Sequence, residues 1–374
     1  MSQICGRCVM DETARAITFD SQGRCNYCSE FVNRAGEALA LTPSERTQLL
    51  TALVEAIRAQ GRGKRYDCIM GLSGGVDSSY AIIQAVKLGL RPLAVHMDNG
   101  WNSELAQNNI ENLIKGLDLD LVTYVIDWRE YRSLMEAFFA ADVIDIELLY
   151  DNAMYAVNYR QAKRWDTRWI LAGTNLATEG MRIPAEWNWL KYDKRNIKAI
   201  NRYRGGRTLS SFPAIGTLEY VWHLGVRRVK WVSFLDYFDY NKARAIQELQ
   251  RDFAFKPYPH KHYESVFTRL YMGHILPTKF NVDMRKVDFS NLIISGQMTR
   301  NEALDELQKD PYPSPEDLRR DITFFRKKLG WSEADWQSYL ARPERRHDSF
   351  ASEQRQYAFT RSISRRLRVT SESP

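Results

Sequence analysis

The stretch Tyr66-Asp-Cys-Ile-Met-Gly-Leu-Ser-Gly-Gly-Val-Asp-Ser-Ser79 decides the fold. Its apolar run, Ile69 to Leu72, stops at Ser73-Gly74-Gly75, and an apolar helical pattern starts at Val76. That order predicts a strand, a glycine loop and a helix N-terminus. Together they make an anion site out of backbone N–H groups and a helix dipole. No Gly-Lys-Ser/Thr closes the loop, so it is not a Walker A sequence and has no lysine for β- and γ-phosphates.

Outward from the loop, strands and helices alternate. The expected strands are Tyr66–Leu72, Arg91–Met97, Leu121–Ile126 and Trp169–Ala172, with helices near Val76–Leu88 and Ser103–Gly116 between them. A β-α-β-α order predicts an α/β fold with a doubly wound parallel sheet. Ligands of such sheets bind beyond the carboxyl ends of the strands. The glycine loop after the first strand, Asp98-Asn99-Gly100 after the second and Gly173-Thr174-Asn175 after the fourth fall on that edge. Thr42-Pro43-Ser44-Glu45 reads as a capping box opening an earlier helix. Four regions result: a metal module at 1–40, the sheet domain at 41–238, an α-rich part at 239–345, and a basic tail at 346–374 expected to be disordered. Residues 182–206, rich in aromatic and basic side chains, read as a substrate-facing insertion or lid.

Of the net charge of +7, residues 341–374 hold +4, from eight arginines against Glu344, Asp348, Glu353 and Glu372. The rest of the 374-residue chain is only mildly basic, so nothing demands a nucleic-acid groove. No apolar run reaches the length of a membrane span and no leader pattern opens the chain, so a cytoplasmic protein is expected.

Cys5, Cys8, Cys25 and Cys28 read Cys-x2-Cys-x16-Cys-x2-Cys, the spacing of a four-thiolate zinc site. Disulfides are the alternative, disfavoured by a reducing compartment. Four thiolates fill the tetrahedron, so the zinc is expected to be structural. Cys68 falls in the first strand and reads as core.

Phosphate chemistry needs carboxylates to hold a divalent cation. Asp77 in the loop and Glu179 in Gly173-Thr-Asn-Leu-Ala-Thr-Glu179 are the candidates, with a solvated acid as the alternative for Glu179. Asp98 either helps hold a nucleotide or caps the next helix. Lys261, His262 and Glu264 are candidates for substrate contact or proton transfer. In an extended segment His260, His262 and Glu264 share a face, which also permits a metal. Lys279 and Arg285 could neutralise an α-phosphate.

The run Ser73–Ser79 resembles the pyrophosphate loop of the ATP pyrophosphatase (PP-loop) superfamily. The whole chain resembles more closely the N-acetyl-sugar amidotransferases of bacterial surface-polysaccharide biosynthesis. The paired Cys-x2-Cys, the loop and Gly173-Thr-Asn175 carry that likeness. So do Pro184-Ala-Glu-Trp187 with Lys191-x-Asp193, Asp239-Tyr-Asn-Lys242, Lys261-His-Tyr-Glu-Ser265, Ile275-Leu-Pro-Thr-Lys-Phe280 and Ser295-Gly-Gln-Met-Thr-Arg300. His260 and Ile200-Asn201 depart from the expected pattern.

The resemblance implies conversion of an acetamido group to an acetamidino group, for lipopolysaccharide or O-antigen synthesis. ATP would adenylate the amide oxygen, and ammonia would displace AMP. It implies ATP contacts at Gly71, Ser73, Gly74, Gly75, Asp77, Ser78, Ser79, His96, Asp98, Gly173 and Thr174. Magnesium would sit on Asp77 and Glu179. Substrate contacts would fall at Asn175, Trp187, Lys191, Asp193 and Lys279, and catalytic roles at Asp77, Lys261, His262, Glu264 and Arg285. The chain has no evident glutaminase, so ammonia is expected from partners resembling the glutaminase and cyclase subunits of imidazole glycerol phosphate synthase. The sugar is either a nucleotide-linked diacetamido uronic acid or a nonulosonic acid. The rival is a tRNA-thiolating pyrophosphatase, against which stands the lack of any cysteine after Cys68.

Overall fold

The computed structural model describes residues 3–206, 208–258 and 263–371. Five strands, β1 (Cys68–Gly71), β2 (Pro92–Asp98), β3 (Leu121–Val125), β4 (Trp169–Ala172) and β5 (Lys230–Ser233), form one parallel sheet in the order β3-β2-β1-β4-β5. Cys68 pairs with Pro92, Ile69 with Ile170, Val95 with Val122 and Ile170 with Trp231. Chain order reverses at β1, so the loops after β1 and β4 flank the crevice of a doubly wound sheet.

The strand period of two divides the core. Ile69, Leu93, Val95 and Ile170 face one layer, with Ala156, Val157 and Tyr159 of the helix Leu148–Arg164. Cys68, Met70, Ala94 and Leu171 face the other, with Ile82, Ile83 and Leu113. Cys68 is wholly buried, as expected, and burial pushes its thiol up. β5 was not foreseen. It is four residues long and follows the stretch where the alternating pattern fades.

Two expectations are corrected. Residues 182–206 are not an open lid: Trp187, Ile197 and Ile200 are buried, and the helix Lys194–Tyr203 is capped by Asp193. The tail is not disordered over its described residues. It passes over that helix and becomes helical at Gln354–Ser371.

Capping and stacking, invisible in its composition, hold the tail. His347 stacks on Trp189 with centroids 4.9 Å apart. Its Nε2 accepts from the Asp145 N–H at 3.2 Å, so Nδ1–H donates to Asn196 Oδ1 at 2.9 Å. The Glu353 carboxylate accepts from the N–H groups of Arg195 and Thr217.

Burial, then Lys191, pulls the His347 imidazole down to about 3. The unfolded chain therefore takes up a proton near pH ~6.5 that the folded chain refuses. Stability is expected to fall as pH drops through the window from ~6.5 to about 3. In His347→Gln this part of the fall should vanish, read as a flatter dependence of the urea midpoint on pH.

Candidate active site

β1 ends at Gly71, and the chain turns through Gly74, whose φ of 82° lies in the left-handed region. A Cβ there would come 2.7 Å from the Ala106 carbonyl oxygen, so the loop presses on the helix Glu104–Leu117. The Tyr258 hydroxyl donates to the Gly74 carbonyl at 2.9 Å. Gly75 caps the helix Val76–Lys87 with no side chain, which leaves its first N–H groups uncovered by a capping group. Ser73 Oγ accepts from the Gly75 N–H at 3.2 Å, and Ser78 Oγ from the Ser73 N–H at 3.3 Å, which fixes the loop. A Cβ on Gly173 would lie 2.6 Å from backbone atoms of Asp77 and Ser78, so only glycine lets the end of β4 dock here.

On one side stand two carboxylates. Tyr240 donates its hydroxyl to Asp77. Burial first, then Asp77, with Glu179 also contributing, raises the Tyr240 phenol. Both acids, one in the first turn of the helix after β1 and one at the end of the short helix after β4, therefore bear on one phenol. Glu179 ends the short helix Leu176–Glu179, and the next residue, Gly180, is gripped from outside. A Cβ on Gly180 would come 2.1 Å from the Phe31 ring, and Arg34 donates to the Gly180 carbonyl.

On the other side, residues 263–266 pair with the loop after β2. Ser103 N–H donates to the Glu264 carbonyl at 2.8 Å, and Val266 N–H to the Trp101 carbonyl at 2.9 Å. A Cβ on Gly75 would lie 3.4 Å from Glu264 Oε1, so this carboxylate borders the loop. Glu147, Asp151 and Lys191 form a second polar cluster around Tyr150. Burial, then Glu264, Glu147 and Asp151, raise the Tyr150 phenol. Lys191 Nζ sits 2.7 Å from Asp145 and 2.9 Å from Asp151. Burial pulls its ammonium down, but the two aspartates outweigh that and hold it above the usual lysine range. Burial, then Asp151, pushes the Glu147 carboxyl up to about 8.

The structure brings Ser73, Gly74, Gly75, Asp77, Ser78, Gly173 and Glu264 together, with Gly71 and Thr174 at the rim and Glu179 beside Tyr240. Other candidates serve the scaffold. Ser79 is buried, and its hydroxyl has no hydrogen-bond partner among the described residues. His96 is buried, tied to the Leu72 carbonyl at 2.8 Å and to the Asn102 amide at 3.0 Å. Asp98 accepts from the Gly100 N–H at 2.8 Å in its own turn, whereas the next helix is capped by Ser103. Asn175 is a buried N-cap. Trp187 is packing, and Asp193 accepts from Trp189 Nε1 and the Glu353 N–H.

The last two basic candidates are also structural. The wholly enclosed Lys279 ammonium donates to the carbonyls of Tyr339 and Arg342 and pairs with Asp142 at 3.1 Å. Arg285 is spent on Asp283 and on the carbonyls of Glu306 and Lys309. Lys261 and His262, like His260, lie outside the described residues. Sequence reasoning did not single out Tyr240, Tyr258, Glu147, Tyr150 or Thr268. Only Tyr240 carried a signal, inside Asp239-Tyr-Asn-Lys242.

The four cysteine sulfurs lie within 4.8 Å of one another and are buried. Cys5–Cys28 and Cys8–Cys25 are 3.7 and 3.6 Å apart. That is close to the ~3.8 Å edge of a tetrahedron with ~2.3 Å zinc–sulfur bonds. The N–H groups of Arg7, Cys8 and Cys25 point at Cys5 Sγ, the pattern that stabilises thiolates around a metal. The residues fit zinc. Arg300 donates to the Cys5 and Cys8 carbonyls, and Lys286 pairs with Asp11 at 2.6 Å, so the module is bolted to the α-rich part.

Among the described residues no helix is long and apolar enough to cross a membrane. No curated protein matches the chain in sequence. Among solved structures it is similar to NMN synthetase from Francisella tularensis, at 16% identity and a TM-score of 0.29, covering 60% of this chain and 100% of that one. It is also similar to NH3-dependent NAD synthetase from Campylobacter jejuni subsp. jejuni NCTC 11168 in complex with the nitrate ion, at 14% identity and a TM-score of 0.29, covering 55% and 83%. Residues 264–364 match the family described as LPS biosynthesis protein WbpG-like, C-terminal domain. This segment starts at the glutamate bordering the glycine loop, and its match supports the family expected from the chain's motifs.

Proposed function

We propose that the protein is an AMP-forming amidotransferase that converts an acetamido group of a sugar to an acetamidino group in surface-glycan synthesis. One observation carries this: a glycine loop on an uncapped helix N-terminus, with Asp77 and Glu179 beside Tyr240 on one side and Glu264 on the other. The loop suits pyrophosphate.

An amide carbonyl is a poor electrophile because its oxygen is a poor leaving group. In the proposed first step the amide oxygen attacks the α-phosphorus. The O–P bond forms, the bond to the bridging oxygen breaks, and pyrophosphate leaves with that electron pair. Ser73, Gly74, Gly75, Ser78 and the helix N-terminus receive it. Asp77 and Glu179, with Tyr240 orienting Asp77, are the donor set for magnesium, which when bound balances the polyphosphate charge. Ammonia then replaces AMP, and no nucleophilic side chain is needed. Ammonia would come from a glutaminase-type partner.

The test is mass spectrometry of the protein with Mg-ATP, ammonium and a panel of acetamido sugars. AMP is expected together with a sugar in which NH replaces oxygen. AMP formation that depends on tRNA instead of sugar would overturn the proposal.

A further inference from the structure

We propose that a basic and apolar face at the amino-terminal edge of the sheet docks the protein on an anionic membrane surface. The inference does not rest on the amidotransferase reading. Half of the large apolar side chains left exposed among the described residues sit on two helices and the turn between the first of them and β5. They are Leu218, Trp222, Leu224 and Val226 on and just after the helix Thr217–Gly225, and Phe359 and Ile363 on the helix Gln354–Ser371. Leu218, Val226 and Phe359 are 67%, 70% and 66% exposed.

Both helices are held by their other sides. Thr217 and His223 are buried, and Tyr220 stacks on Tyr192 with centroids 3.7 Å apart. Leu218 and Trp222, four residues apart, therefore share the outer face. Tyr357 lies 6.3 Å from the same Tyr192 ring and anchors the second helix. Phe359 and Ile363, two and six residues further on, turn away from that anchor.

Cations border the apolar side chains. Lys163 Nζ lies 5.5 Å and the Arg227 guanidinium 6.0 Å from the centre of the Trp222 ring. Lys230 Nζ lies 4.5 Å over Trp169, and Arg164 lies 5.6 Å over Trp165. Trp169 and Lys230 open β4 and β5, so this face is at the end of the sheet opposite the glycine loop. Residues 160–168, 217–230 and 354–371 together carry twelve basic residues against two acids, Asp166 and Glu219. The whole chain is only +7, so everything outside these stretches is net negative. Both acids are already paired, Asp166 with Lys64 and Arg227, and Glu219 with Lys194. Among the described residues Lys163, Arg164, Arg168, Arg228, Lys230 and Arg361 make no ion pair.

That combination decides what covers the face. The phosphates of a nucleic acid would meet the cations but leave Leu218, Val226 and Phe359 in water. An anionic bilayer meets both: apolar side chains enter the boundary between headgroups and acyl chains, and the cations stay at the level of the phosphates. A tryptophan flanked by lysine and arginine, as Trp222 is, suits that boundary. Docked in this way, the protein keeps its glycine loop on the water side.

The experiment sediments the full chain with vesicles of phosphatidylethanolamine and phosphatidylglycerol, and with vesicles of phosphatidylcholine alone. The anionic vesicles should bind at least about 10-fold more tightly, and added salt should weaken them. Arg228→Gln and Arg361→Gln should each weaken binding about 5-fold, the share of one charge near such a surface. The triple variant Leu218→Ser, Val226→Ser, Phe359→Ser alters exposed side chains only. It should lose about 10-fold or more in vesicle binding, with its urea midpoint and its Mg-ATP binding unchanged. Brominated lipid should quench the wild type more than Trp222→Phe, which reports entry of that ring. No binding to the anionic vesicles would overturn the proposal, and so would a dimer in solution that the triple variant abolishes while vesicle binding persists. Vesicle binding that the triple variant keeps and that heparin matches would show attraction to any polyanion, and would overturn it too.

Discussion

Gly74→Ala is expected to cut sugar-dependent AMP formation by about 100-fold or more, because catalysis by positioning tolerates little displacement. Two costs coincide at this residue. Its φ of 82° strains any side chain. The added methyl would also lie 2.7 Å from the Ala106 carbonyl oxygen and 3.2 Å from Ala106 Cα, backbone that cannot swing away. The loop must shift outward, which breaks the Tyr258 contact and moves the N–H groups meant for pyrophosphate. Gly63→Ala is the control. Its φ is 74° and nothing lies within 4 Å of the added methyl, so it carries the strain alone. That variant should lose about 1 kcal/mol of stability and little activity. ATP binding and AMP formation, measured beside the urea midpoint, separate the two effects. Equal activity in the two variants would refute the argument.

Cys25→Ser, or stripping the metal, should have the second-largest effect. A structural zinc site contributes on the order of 10 kcal/mol to its own module. Here that module also positions a carboxylate. Cys25 caps the helix Asn26–Leu39, and Phe31 and Arg34 of that helix hold Gly180 directly after Glu179. Losing the metal should therefore release Glu179 as well as the ribbon. Zinc content, protease sensitivity confined to residues 3–39 and binding of Mg-ATP would be followed together. The expected result is a nicked N-terminus, an intact sheet domain and at least about 10-fold weaker Mg-ATP binding. Arg34→Ala should weaken Mg-ATP binding with zinc fully retained. If zinc-free protein bound Mg-ATP normally, the coupling would not exist.

The elements legible in the sequence are those whose signal is local. The glycine loop, the capping box at Thr42 and the cysteine pairs each declare themselves within a few residues. β1 to β4 follow from short apolar runs between helical patterns. Lys279 and Arg285 misled because a basic residue beside a motif looks available, whereas Arg285 is taken by Asp283 two residues before it and the partners of Lys279 are distant in sequence. Lys279 meets the Tyr339 carbonyl 60 residues on. His96 and Asn175 misled for the same reason: they do lie at the ligand edge, but they hold it together. The tail misled by composition, because a few buried or capping residues, His347 and Glu353 among them, decide its course.

The most direct test of the central claim uses an acetamido sugar labelled with heavy oxygen in the amide, turned over with Mg-ATP and ammonium. Adenylation of that oxygen predicts that the label appears in AMP, one atom per amidine formed. Unlabelled AMP, or label released to water or in pyrophosphate, would contradict the account.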